Sequence, residues 1–129
     1  MVEAVVDGPS VIQLSAQTKV YCALEAVDFR KGIDGLAQVC AGTLEKDPFG
    51  GGVFLFRNRR QTAIKILFYD GQGFWLCLKR LSRGRFRWWA EARSADRRTR
   101  ELMISEIQVL LWNGNPEGSR VQEMWRKMN

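Results

Sequence analysis

The stretch VFLFRNRRQTAIKILFYDGQGFWLCLKRL, residues 53–81, decides the fold because it predicts three β-strands in succession. Val53–Arg57 opens with four apolar residues in a row, which is typical of a strand that is covered on both faces. Ala63–Tyr69 alternates in the manner of a half-buried strand, and residues 74–81 form the third apolar run. Short connections rich in turn residues separate these runs, so we expect them to pair as antiparallel hairpins.

A fourth short strand is predicted at residues 85–88, directly after the turn that contains Arg83-Gly84. If these two residues form the hairpin loop, Arg80 lies opposite Arg87, and Arg85 shares their face of the sheet. Like charges that face each other are unfavourable unless an anion neutralises them, so this face is a candidate phosphate contact. An exposed sheet face, with water and counterions between the guanidinium groups, is an equally good interpretation.

The chain before residue 53 predicts two short strands and one helix. Residues 11–14 and 20–25 are β-type segments with a polar turn between them. Asp28 is a plausible N-cap of a helix that runs through about residue 45, with Asp47-Pro48 as its end. The apolar face of this helix consists of Ile33, Leu36, Ala37, Cys40 and Leu44.

The C-terminal third predicts a further short helix. Ser105 and Gln108 match a capping box, so we expect a helix over residues 106–112 that Asn113-Gly114 ends. Residues 97–100 are either loop or the first turns of a longer helix, and residues 115–129 are a terminal helix or a loose tail. We therefore expect one α+β domain, residues 1–129, in which a small antiparallel β-sheet of hairpin-connected strands packs with two or three helices.

Positive charge is concentrated in the middle of the chain. Residues 57–100 hold 13 of the 20 Lys and Arg but only three of the 14 acidic residues, for a local balance of +10 within a chain of net charge +6. Solubility does not require such segregation, whereas a surface that binds a polyanion does. The distribution indicates contact with nucleic acid, and a solvated basic face is the alternative.

The residue types that most enzymes need are missing or have structural interpretations. The chain has no histidine, and its three cysteines, Cys22, Cys40 and Cys77, are widely spaced in apolar settings typical of buried thiols. No zinc site, disulfide framework or phosphate-binding glycine motif is present in the sequence. We therefore predict no catalytic residue, no metal and no cofactor, because turns, caps or a polar helix face account for the most plausible carboxylates: Asp28, Asp34, Asp47 and Asp70.

The sequence also gives an expectation for the compartment. No stretch approaches the roughly 18 consecutive apolar residues of a membrane span. The first fifteen residues lack the basic start and apolar run of a secretory signal. We expect a cytoplasmic protein with no membrane partner.

Four segments, taken in order, resemble a known family. They are RKGIDGL (30–36), DPFGGGVFLFRNRR (47–60), IKILFYDGQGF (64–74) and KRLSRGRFRW (79–88). Over about residues 20–114 the chain resembles the TnpB (Orf2-type) accessory proteins of the IS-66 group of bacterial insertion sequences. It departs from them where Trp88-Trp89-Ala90 stands in place of Trp-Pro, and at Leu78, where an aromatic residue often stands. The resemblance implies a non-catalytic protein that assists a separate, larger transposase, and it brings no catalytic residue with it.

Two functions follow from these patterns. The first is DNA binding in support of transposition, most plausibly at the element ends. Arg30 and Lys31, in the first turn of the first helix, would be aided by its N-terminus. Trp88 and Trp89 could stack on unpaired bases, although core or interface packing is the commoner role of such a pair. The alternative is a protein–protein adaptor that binds the transposase without touching DNA. The residues predicted to contact phosphates are Arg30, Lys31, Arg57, Arg59, Arg60, Lys79, Arg80, Arg83, Arg85 and Arg87.

Overall fold

The computed structural model describes residues 17–93 and 95–117. Five strands and two helices account for the regular structure of this part of the chain. The first helix, α1, continues directly as a π-helical segment over Val39–Thr43. In chain order the elements are β1 (Val20–Ala23), α1 (Ile33–Gln38), β2 (Val53–Arg57), β3 (Ala63–Tyr69), β4 (Phe74–Arg80), β5 (Thr99–Glu101) and α2 (Ile104–Leu111).

The five strands form one mixed sheet in the order β4-β3-β2-β1-β5. The hairpins β2–β3 and β3–β4 are antiparallel, as predicted. β5 is also antiparallel to β1, with Tyr21 opposite Glu101. β1 is parallel to β2, with Val20 opposite Val53. The two strands run in the same direction because α1, which lies between them in the chain, returns the chain to the end of the sheet where β1 began. The α+β prediction is confirmed, while the purely antiparallel sheet is wrong at this one pairing.

β2 is the strand that the fold buries most completely. Val53 and Leu55 point into an apolar cluster on one face of the sheet, together with Leu110 of α2. Phe54 and Phe56 point into a second cluster on the other face, against the side chains of α1. The prediction that this strand is covered on both faces is confirmed.

The start of α1 differs from the prediction. The helix begins at Ile33 with Gly32 as its N-cap residue, so Asp28 does not cap it. The Asp28 carboxylate instead accepts a hydrogen bond from the Arg30 backbone N–H at 2.9 Å, which closes a local turn four residues earlier. The predicted apolar face packs inward at Leu36, Cys40 and Leu44, whereas Ile33 is 37% exposed.

The predicted strand at residues 85–88 is absent. After β4 the chain leaves the sheet, and within the described residues nothing pairs with the outer edge of β4. Arg80 lies opposite Ala63 of β3, so its predicted pairing with Arg87 is wrong. The alternation itself is real, since Phe86 and Trp88 are buried while Arg85 and Arg87 are exposed.

Near the C-terminus the structure adds one strand and shifts one cap. β5 was not predicted, because Thr-Arg-Glu is short and polar. α2 begins two residues before the predicted start. A carboxylate oxygen of Glu106 accepts a hydrogen bond from the Met103 backbone N–H at 2.9 Å and caps the helix. The predicted capping box of Ser105 and Gln108 is therefore wrong. The predicted helix end is confirmed, with Asn113 in a left-handed conformation at φ 64°. The strand predicted at residues 11–14, and all but the first three residues of the terminal segment predicted at 115–129, lie outside the described residues.

Membrane spans were also sought in this part of the chain. No helix among residues 17–93 and 95–117 is long and apolar enough to cross a bilayer. The longest described α-helix, α2, has eight residues.

Leu55→Ala tests the central position of β2. Leu55 is fully buried, and truncation of a buried leucine leaves a cavity that costs about 2–5 kcal/mol. We expect that loss in the free energy of unfolding, measured by urea titration. Met103→Ala is the control, because Met103 is 68% exposed and should change stability by less than about 0.5 kcal/mol. An equal loss in both variants would contradict the assignment of β2 as the centre of the core.

Candidate nucleic-acid interface

The topology of the sheet brings basic residues from distant parts of the sequence to one end. Because β1 and β2 are parallel, both finish at the end where β3 and β5 begin and where β4 finishes. The register shows this directly, since Arg57 lies opposite Ile64 and Ala63 lies opposite Arg80. We call this end of the molecule the basic end.

All ten residues predicted to contact phosphates lie on or beside the basic end. Arg57 and the turn after it carry three of them, and the end of β4 with the segment that follows carries five. Arg30 and Lys31 belong to the segment after β1, which is held near this end by Lys65. The Lys65 ammonium donates hydrogen bonds of 2.8 Å to the backbone oxygens of Phe29 and Lys31.

Six of these residues have guanidinium groups that face solvent. Their side chains are exposed, and among the described residues none of the six guanidinium groups forms an ion pair or a hydrogen bond. Their charge is therefore not neutralised within the described part of the protein and projects a positive field into solvent. We call them the open arginines: Arg59, Arg60, Arg80, Arg83, Arg85 and Arg87.

Of the other four predicted contacts, Lys31 is exposed, whereas the side chains of Arg30, Arg57 and Lys79 form hydrogen bonds within the described protein. Arg30 forms an ion pair with Asp28 at 2.8 Å. The hydrogen bonds that the Asp28 carboxylate accepts from the side chain and the backbone N–H of Arg30 lower its pKa to about 2. Arg57 is half-buried and donates to the backbone oxygens of Asn58 and Arg59 at 3.3 and 3.5 Å. Because α1 begins only at Ile33, the prediction that Arg30 and Lys31 occupy its first turn is wrong.

Two side-chain amides fasten the segment after β4. Gln61, in the turn between β2 and β3, donates to the Phe86 backbone oxygen at 2.8 Å, and its own backbone oxygen accepts the Phe86 N–H at 2.9 Å. On the other side, the Asn113 side-chain oxygen accepts the Arg87 N–H at 2.7 Å, and its amide nitrogen donates to the Arg85 oxygen at 3.4 Å. Arg85 and Arg87 are thus held in place without belonging to a strand.

The tryptophans near this end have different environments. Trp88 and Trp89 are each 8% exposed, and the Trp89 indole N–H donates to the Ala23 backbone oxygen at 2.8 Å. Both rings pack in the core, which is the alternative that the sequence left open, and neither is presented to a base. Trp112 is 81% exposed beside Lys79. Trp112 was not predicted as a surface residue, although its place directly before Asn113-Gly114 at a helix end is a signal of exposure.

Part of the positive charge of residues 57–100 is used inside the protein. Arg100 is 6% exposed and pairs with Glu117 at 2.7 Å and with Glu106 at 3.5 Å. Its hydrogen bond to Glu117 lowers the pKa of that carboxyl. Two nearby arginines are also paired, Arg93 with Glu117 and Arg98 with Glu45. The unneutralised charge therefore lies mainly before residue 90.

The carboxylates at the opposite end of the sheet serve local structure. Asp70 accepts hydrogen bonds from the backbone N–H groups of Gln72 and Gly73 and from the Trp75 indole, and these bonds lower its pKa. Asp47 accepts the Phe49 N–H at 2.9 Å. The predicted turn roles of Asp70 and Asp47 are confirmed. Within the described residues no three His, Cys, Asp or Glu side chains come together as a metal-binding group.

The three cysteines are free and buried, as predicted. Burial raises the pKa of the Cys22 thiol to about 12 and that of Cys40 to about 12. Burial also raises the pKa of Cys77. At neutral pH all three thiols are therefore protonated, and a protonated thiol is a poor nucleophile.

Comparison with known proteins gives a consistent result. The model of the family described as "IS66 Orf2 like protein" matches residues 18–120. The protein y4hO of Sinorhizobium fredii, described as uncharacterized, is 33% identical over 108 residues, which cover 84% of this chain and 89% of y4hO. The protein y4jC of the same organism, also described as uncharacterized, is 35% identical over 68 residues, which cover 53% of this chain and 58% of y4jC. No solved structure matches the chain significantly.

Asn113→Gly tests whether the side-chain amide fastens the arginine segment. Glycine accepts the left-handed backbone at this position but removes both side-chain hydrogen bonds to residues 85 and 87. We expect hydrogen exchange at the Arg87 amide to become at least about tenfold faster, in line with a lost bond worth about 1.4 kcal/mol. The Val27 amide, bonded to the Arg57 oxygen, is the internal control and should keep its rate. Unchanged exchange at Arg87 would refute the role of Asn113.

Thiol labelling tests the burial of the cysteines. Since the thiol pKa values are raised, the reactive thiolate forms only as the pH rises towards them. We expect iodoacetamide at pH 8 to leave all three cysteines of the folded protein unmodified and to label all three in urea, as measured by intact mass. Rapid labelling of any of them in the folded protein would contradict the structure.

Proposed function

This chain belongs to the family of IS66 Orf2 like proteins, and from that membership and the open arginines we propose that it is a non-catalytic accessory protein of insertion-sequence transposition that binds DNA. The observation that carries the DNA-binding part is the gathering of six exposed arginines at one end of the sheet, none paired with a carboxylate of the described chain. Family membership supplies the context, in which the DNA is that of the element and the natural protein partner is its transposase.

The proposed mechanism is electrostatic. A guanidinium group presents several N–H donors in one plane, which suits the oxygens of a phosphate. Arg80 ends β4, and the other open arginines lie on the turn after β2 and on the segment after β4 that Gln61 and Asn113 fasten, so the sheet sets where their backbone lies. Phosphate contacts of this kind position a protein on DNA and release counterions, and they do not by themselves read sequence.

The non-catalytic part of the proposal is supported by what the acidic side chains do. Strand transfer by a DDE-type site needs three carboxylates around two metal ions. In the described chain Asp47 and Asp70 close turns, Asp28 is paired with Arg30, and Glu106 caps α2. The chain also has no histidine to act as a general base near neutral pH. The chemistry of transposition would then belong to the separate transposase.

A second candidate function is that of an adaptor that binds the transposase. It is favoured by an exposed aromatic group at the end of the sheet opposite the basic end. Phe49 is 59% exposed, and its ring centroid lies 5.0 Å from that of Tyr69 and 5.1 Å from that of Phe74. Exposed aromatic residues are frequent energetic centres of protein interfaces. The two functions use opposite ends of the molecule and can therefore be separated by mutation.

DNA binding is tested by fluorescence anisotropy with a labelled duplex that carries the terminal repeat of the element. If all six open arginines contact phosphates, the logarithm of the affinity should fall with the logarithm of salt concentration with a slope of about −5. We expect binding at low salt that weakens steeply towards physiological salt. Folded protein that binds at neither salt concentration would overturn the proposal.

The double variant Arg85→Gln/Arg87→Gln assigns that binding to the basic end. It removes two open arginines and should reduce the magnitude of the salt slope by about two. The matched control is Lys19→Gln/Arg93→Gln, which removes the same charge from two exposed side chains that are engaged in ion pairs elsewhere. Equal weakening by both double variants would show that net charge matters and that the basic end does not. A Phe49→Ala variant that keeps DNA affinity but loses a nuclease-resistant complex with the transposase would favour the adaptor.

A further inference from the structure

We propose that Trp112 stacks on an unpaired base, so that the basic end binds single-stranded DNA or a frayed duplex end through both its arginines and this indole. The inference rests on the proposed DNA binding and goes beyond it by naming the form of the nucleic acid. Trp112 is 81% exposed, which is the largest exposure among the large apolar side chains of the described chain. Burying the surface of an indole is favourable in free energy, and the exposed ring does not gain that energy until a ligand covers it.

The backbone that carries Trp112 is held by hydrogen bonds. The residue follows α2 directly, and its backbone N–H donates to the Gln108 oxygen at 3.2 Å. Asn113 then adopts φ 64°, and the Gly114 N–H closes back onto the Val109 oxygen at 2.8 Å. The indole therefore projects from the ordered end of a packed helix, so that stacking has to order the side chain but not the backbone.

Lys79 connects the indole to the sheet. Its ammonium group donates a hydrogen bond to the backbone oxygen of Leu111 and lies 5.4 Å from the centroid of the Trp112 ring. A cation at this distance is attracted to the face of the ring and holds it against the end of β4. The ring is thus supported by a positive charge that also attracts the backbone of a nucleic acid.

Asn113 joins the indole to the open arginines. Its side chain bonds to the backbone of Arg85 and of Arg87, so the residue next to Trp112 in the chain also holds the backbone that carries two open arginines. A strand whose phosphates contact those arginines would bring a base to the neighbouring indole. A closed duplex keeps its bases paired and stacked, and only an unpaired base can present its face to this ring.

The surroundings of Trp112 favour a nucleobase over a protein as the occupant. The buried cores of protein interfaces are depleted in charged residues, lysine among them. The Trp112 ring instead lies against the Lys79 ammonium group, and the next residue, Asn113, is bonded to the backbone of Arg85 and Arg87. Cations beside an aromatic ring are typical of proteins that bind single strands.

The test measures binding of labelled oligothymidylate and of a blunt linear duplex of the same length whose ends are closed by G·C pairs, over a range of salt concentrations. Trp112→Ala should weaken oligothymidylate binding by about tenfold and duplex binding by less than about twofold. The salt slope should stay unchanged, because stacking releases no counterions. Trp112→Phe should keep most of the affinity. Met103→Ala, which truncates another exposed apolar side chain at the opposite end of α2, should change nothing.

The outcomes separate this inference from the proposed function. If the wild-type protein binds neither DNA, the proposed function fails and this inference fails with it. If the wild-type protein binds both, and Trp112→Ala binds both as tightly as wild type, DNA binding stands and stacking is refuted. Equal losses on the two DNA forms, or a loss confined to a complex with the transposase, would also refute stacking. Circular dichroism confirms that each variant is folded, as expected for a side chain so exposed.

Discussion

The burial of β2 on both of its faces is the constraint on which the rest of the structure depends. Val53 and Leu55 need a cover on one face, and Phe54 and Phe56 need one on the other. α1 supplies the second cover and must therefore cross the sheet between β1 and β2. That crossing makes β1 parallel to β2, which is the only parallel pairing in the described sheet.

The charge distribution follows from the same constraint. With β1 and β2 parallel, the chain leaves both strands at one end of the sheet, and the turn after β2 and the segment after β4 meet there. The arginines of these two segments are separated in sequence by the whole of the β3–β4 hairpin. The Gln61 side chain joins the two segments through Phe86, so the basic surface is a product of topology as much as of composition.

What could be predicted from the sequence was mostly local. The bounds of β2 and β3 agree with the structure because an uninterrupted apolar run and short polar turns are signals within a few residues. The parallel β1–β2 pairing and the three-residue β5 depend on contacts between distant segments. The segment after β4 shows the limit: its inward and outward alternation was right, but its hydrogen bonds go to Gln61 and Asn113, 25 and 26 residues away. Likewise, charge identified the arginines of the candidate site, while the exposure of Trp112 is marked only by its place before Asn113-Gly114, and the burial of Trp88 depends on contacts with distant segments.

The attachment of the segment after β4 has a consequence for how such a protein can vary. Its side-chain anchors are the amides of Gln61 and Asn113, and the Leu81 N–H, bonded to the Thr62 oxygen, adds a backbone link. No strand register passes through residues 82–84, so this stretch can be lengthened, shortened or recoded without displacing the sheet. The part of the basic surface that carries Arg83 can therefore differ between related proteins while the fold stays the same.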